Sequence, residues 1–144
     1  MSRSGALDRI DALLSTVSSP AFTAVLRGEP LSISGTPTVA FWMTARRVAF
    51  LTLSDVSSDT DFLIRAYFRM QAASSVRETI ELDLWNTAVN IDTALRGDSN
   101  LSGNVEDMEI GDITTAYTDM GGVAYRTLDV PLTLKIYGDV TITP

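Results

Sequence analysis

The chain has no cysteine and no histidine among its 144 residues, and its only lysine is Lys135. Without thiols there can be no disulfide and no thiolate metal site. Without imidazole the commonest general base, the usual zinc ligand and the usual switch near neutral pH are gone. Serine and threonine are plentiful, but a serine nucleophile would have to rely on Lys135, and the alternation around that residue turns it away from the apolar positions. Long hydrophobic runs are missing too. Runs such as those around Phe50 and Phe62 fall far below the ~20 residues of a membrane-spanning helix. The opening MSRSGALDRIDALL is interrupted by Asp8, Arg9 and Asp11, so it does not read as a signal peptide, and cytoplasmic synthesis is expected.

What is present is the composition of one folded domain. Hydrophobic residues make up 45% and charged residues 20%, enough apolar material for a real core and too little length for two ordinary domains. The net charge of −7 disfavours adhesion to a nucleic-acid backbone, which needs basic residues to neutralise phosphates. Ten arginines against one lysine fit either coding bias or ion pairs that use the planar guanidinium.

Leu7, Ile10, Leu13, Leu14 and Val17 recur at helical spacing and predict an amphipathic helix over 5–17, stopped by Ser18, Ser19 and Pro20. Residues 21–26 are expected to add a short helical turn. The Gly- and Pro-containing stretch 27–38 is expected to be loop or edge. Two strands are expected over 39–44 and 48–54, joined at Ala45-Arg46-Arg47 by a tight connection or bulge. The polar stretch 54–61 reads as an exposed loop. Then comes strict alternation: Phe62, Ile64, Ala66, Phe68 and Met70 on one face, Arg65, Tyr67 and Arg69 on the other.

Ser75 followed by Glu78 has the spacing of a capping box. Val76, Ile80, Leu84, Ala88, Ile91 and Leu95 then form a buried stripe, with Glu78, Glu81, Asp83 and Asp92 mostly opposite. Gly97 stands where a left-handed cap would close the helix. Strand character resumes over 105–117, with a break near Gly111. Gly121-Gly122 marks a hairpin, and Leu128, Val130, Leu132, Leu134 and Ile136 point inward from the last strand. Pro131 lacks an N–H, which places it at an edge or a bulge. The expected fold is therefore α+β: a single domain with a mainly antiparallel or mixed β-sheet against one long helix and an N-terminal helix.

Chemistry has few footholds. Glu106, Asp107, Glu109 and Asp112 crowd four carboxylates into seven residues, but the spacing is not that of a calcium loop, and strand geometry sends Glu106 and Asp107 to opposite sides. They read as a solvated acidic strip. Neither glycine-containing stretch, at Gly103 or Gly121, has phosphate-loop spacing. Trp42 and Trp85 read as core or interface aromatics rather than sugar platforms. No catalytic, cofactor-binding or metal-ligating set emerges.

The helix ending in Ala94-Leu95, the polar Asp98, the step Leu101-Ser102-Gly103-Asn104-Val105 and a closing alternating strand that ends near Tyr137 together resemble the tail terminator (tail completion) proteins of long-tailed bacteriophages. The resemblance runs over nearly the whole chain through short motifs. It implies a virion protein, not an enzyme, that forms a ring of copies of itself, with six subunits expected. The ring would cap the head-proximal end of the tail tube, end tube polymerisation and meet the head-completion or neck protein, with DNA only as passing cargo. Under it, Arg65, Tyr67, Arg69, Asp55, Asp59 and Asp61 are candidates for subunit or tube contacts. Glu106, Asp107, Glu109 and Asp112 are candidates for a lumen that repels DNA. The alternatives are another neck, connector or minor tail protein, and, further off, a metal- or carboxylate-dependent hydrolase.

Overall fold

The computed structural model describes residues 2–50, 56–70 and 74–137. The elements run α1 (Arg3–Ser15), β1 (Ala24–Arg27), β2 (Thr38–Phe50), β3 (Val56–Arg69), α2 (Ser74–Arg96), β4 (Asp107–Ile110), β5 (Thr114–Met120) and β6 (Val123–Tyr137). They form a single α+β domain built on a six-stranded mixed sheet. Its order is β1-β2-β3-β6-β4, and β5 pairs with β6. Only β1 and β2 run parallel; every other pairing is antiparallel.

Local chemistry accounts for most boundaries. Ser2 caps α1, its Oγ accepting the Gly5 N–H at 3.0 Å. Ala6, Ile10, Leu13 and Leu14 then bury one side of that helix. On α2 the buried side is Ile80, Leu84, Ile91 and Leu95, as the helical spacing predicts. Thr87 is buried among them, and its Oγ1 has no hydrogen-bond partner among the described residues. Both helices lie on one face of the sheet. There they cover Val39 and Phe41 of β2, Ile64, Ala66 and Phe68 of β3, and Leu128, Val130, Leu132 and Leu134 of β6.

Several local expectations give way to tertiary structure. Residues 24–27 are strand rather than helix, because pairing with Thr38–Phe41 supplies hydrogen bonds that a lone helical turn could not match. The two strands expected around Ala45 are one strand, β2, with a register shift between Met43 and Ala45, which is the bulge reading. Residues 56–61 are not loop: they open β3, and Ser58 and Thr60 are buried there. Polar composition misleads here because β3 is flanked by β2 and β6, which satisfy its backbone.

At the end of α2, Gly97 does not take the left-handed cap. The left-handed residues come later, at Leu101 (φ 49°), Ser102 (φ 57°) and Gly103 (φ 86°). Ser75, expected to cap α2, lies inside its first turn, and its side chain is outside the described residues.

Pro131 sits in the interior of the sheet at a break between two partners. β6 meets β4 through Leu132 and β5 through Asp129, so the gap spanning 111–113 faces Pro131. In a strand the N–H and C=O of one residue point to the same side. The Pro131 carbonyl accepts the Gly111 N–H at 2.9 Å, so its missing donor falls on the interrupted side. A Cβ on Gly111 would stand 3.2 Å from the Pro131 Cβ, which explains glycine there. The Gly121-Gly122 hairpin forms as expected, both residues at positive φ between Met120 and Val123.

Candidate interaction surfaces

The sheet face opposite the helices is built from the alternate residues of β3 and β6, and it is a ladder of charges. Arg65 lies directly across from Asp129 and binds it with two parallel bonds, Nε to Oδ1 at 2.7 Å and Nη2 to Oδ2 at 3.0 Å. The same guanidinium lies 5.6 Å from the centre of the Trp42 ring. Further along, Arg47 binds Asp61, whose Oδ1 also accepts the Thr133 hydroxyl at 2.8 Å. Lys135 meets Glu109 at 2.9 Å. The Arg47 guanidinium holds the Asp61 carboxyl below the usual carboxylate range, with help from Thr133 against some desolvation. Tyr67 is 2% exposed and packs edge-on against Tyr125, ring centres 6.2 Å apart at 87°. Burial pushes its hydroxyl above its ordinary pKa.

These placements show what the candidate contact residues bind within the chain. Arg65 is half-buried in its bidentate pair, and Tyr67 is buried where the loop after β1 packs Ile33 beside it. Asp61 is committed to Arg47 and Thr133. Asp59 lies opposite Lys135, half-buried. Of the described members of the group only Arg69 is exposed. Asp55 lies outside the described residues.

Glu106, Asp107, Glu109 and Asp112 are all exposed. Asp107 and Glu109 share the outer face of β4, while Met108 and Ile110 turn inward. Among the described residues no three carboxylates gather to hold a metal ion. No helix among them is long and apolar enough to cross a membrane.

A fourth carboxylate has a structural task. Asp98 binds Arg9 of α1 and accepts both the Ser102 N–H at 3.0 Å and its hydroxyl at 3.1 Å, which fixes the left-handed turn. Arg9 first, and then those two bonds, hold its carboxyl below the usual range. Leu101, projected from that turn, is fully buried.

Two apolar surfaces escaped the sequence reading. On α2, Leu82, Trp85 and Val89 are 57%, 73% and 52% exposed, on the side away from the core. Their spacing of three and four residues makes a second helical stripe, visible in the sequence once the buried stripe is subtracted. Beside it, Arg126 reaches Glu81 at 3.1 Å and lies 4.5 Å from the Tyr117 ring centre. The second surface is a cavity of about 470 Å³ between α1 and the sheet, walled by Phe41, Phe62, Leu134 and Ile136. Arg3, Arg27 and Arg46 also line it; among the described residues no carboxylate does, although Asp8 and Asp11 pair with Arg27. No signal in the sequence marks it, because its walls come from five separate elements.

The geometry thus defines an α+β domain in which many ionic groups are engaged with one another and three large apolar side chains are exposed together on one helix. No protein-family model matches the chain, and no curated protein matches it.

Proposed function

We propose that the chain is a structural protein of a long-tailed phage virion that assembles into a ring on the head-proximal end of the tail tube. The ring ends tube polymerisation and joins the tail to the head-completion or neck protein. The observation that carries this reading is the Leu82-Trp85-Val89 stripe, three large apolar side chains exposed together on one helix. Exposed apolar clusters rimmed by charge mark association surfaces, and tryptophan is the residue type most enriched where such contacts are strongest. The resemblance in the Ala94-Leu95 to Val105 region supplies the particular assembly. The exposed acids Glu106, Asp107, Glu109 and Asp112 face the lumen, where negative charge lets DNA slide past without adhering. Synthesis is in the host cytoplasm and the final location is the virion.

Negative-stain microscopy of the purified chain, alone and mixed with a tail-tube protein, tests this. Six-fold rings, or short tubes capped at one end, are expected. Uniform monomers that leave tube growth unchanged would reject the reading.

A further inference from the structure

The α2 stripe and the cavity beside α1 are complementary in shape and in charge. The stripe is an exposed ridge, and the residues that flank it on α2 include Glu78 and Glu81, both exposed, and Asp92. The cavity is a concave apolar surface lined by three arginines. The strand at its mouth, β2, carries Arg46 and Arg47 as its only charges, whereas α2 as a whole carries four acids against two arginines. The volume is adequate: a cavity of about 150 Å³ holds a benzene molecule, so 470 Å³ accepts an indole together with an aliphatic neighbour. Met43, which helps line it, is 57% exposed, and methionine reshapes readily around an inserted side chain.

We infer that the Leu82-Trp85-Val89 ridge of one copy docks into the α1–sheet cavity of a second copy. The inference rests on the ring reading and specifies its subunit contact. The two surfaces share no residue, so one copy can offer its ridge to one neighbour and its cavity to another, a heterologous contact. Contacts of that type propagate head to tail and close into a ring when the rotation allows. Arg27, already held at 2.8 Å from Asp8 and 3.0 Å from Asp11, is oriented within the lining before any partner arrives. Docking brings Glu78 of one copy, and Glu81 with its Arg126 partner, toward the arginines of the next. Opposite charges there help to fix the register.

Complementation between two variants tests the contact by sedimentation velocity. A ridge variant, Leu82→Ser with Trp85→Ser, keeps its cavity, and a cavity variant, Met43→Asp, keeps its ridge; all three positions are exposed. Each alone is expected to be monomeric where the unaltered chain forms rings. Mixed in equal amounts they should form a one-to-one dimer and nothing larger, since one intact ridge meets one intact cavity and both free ends are blocked. That dimer also shows that both variants are folded. Trp85→Phe, which keeps a ring to insert, should retain assembly. Rings from both variants would overturn this contact and leave the ring reading standing. A ridge variant that still closes rings but no longer caps tubes would assign the ridge to the tube protein and overturn the contact. An unaltered chain that stays monomeric, fails to cap tubes and yields no dimer from the mixed variants would reject the contact and the ring reading together.

Discussion

The two faces of the sheet are held by different physics. On the helix side β6 presents Leu128, Val130, Leu132 and Leu134, all nearly inaccessible, to two amphipathic helices. On the other side the same strand presents Asp129, Thr133 and Lys135, each paired with a polar or charged residue of a neighbouring strand. Burial on the first face is non-directional and grows with apolar area. The second depends on register, because Arg65 reaches both oxygens of Asp129 only when the two residues stand opposite. One face supplies most of the stability, and the other pins which residues pair.

Two neighbouring substitutions on β6 separate these contributions. Leu132→Ala removes a buried side chain from the apolar face, and a loss of about 3 kcal/mol is expected in urea unfolding. Asp129→Ala leaves the Arg65 guanidinium, 26% exposed, without its carboxylate partner. It should cost less, about 2 kcal/mol, reflecting partial access to water. Equal losses would erase the distinction between the faces. The Asp129 result also bears on assembly: charge reversal at Arg65 should act by weakening the domain, not by removing a subunit contact.

The smallest effect concerns pH. Asp98 has a carboxyl depressed below its unfolded value, so the folded chain binds fewer protons there than the unfolded one. Its contribution is complete above the unfolded value of about 3.9 and fades as pH falls through the folded one. Asp98→Asn should melt lower than the unaltered chain at neutral pH, by the equivalent of about 1 kcal/mol. The gap between the two melting temperatures should close in acid. A gap independent of pH would mean that the turn is held by its backbone and not by the charge.

Period and turn chemistry made much of the fold legible. The helical spacing over α1 and α2, the alternation through Phe68 and Ile136, the Gly121-Gly122 hairpin and the break near Gly111 all follow from side-chain direction and φ preference. What failed was decided by partners distant in sequence. Residues 24–27 became strand because β2 lay alongside, and the polar run before Phe62 became strand because β6 completed it. The surroundings of the candidate contact residues were hidden for a related reason. Alternation showed that Arg65 and Tyr67 share a side, but not that Asp129 and Tyr125 wait there. The Leu82, Trp85 and Val89 stripe was readable and was obscured by the acids among which it lies.

The order of the strands has a consequence for timing. The sheet's central partnership joins residues 57–69 to residues 125–137, so β3 has an unfilled side until β6, the last strand of the sheet, is in place. Pairings of such long sequence separation form slowly. Leu134 and Ile136, two walls of the arginine-lined cavity, belong to that final strand. A chain still emerging from the ribosome therefore has its helices before it has a finished cavity. Completion of the fold sets the moment at which that surface first exists.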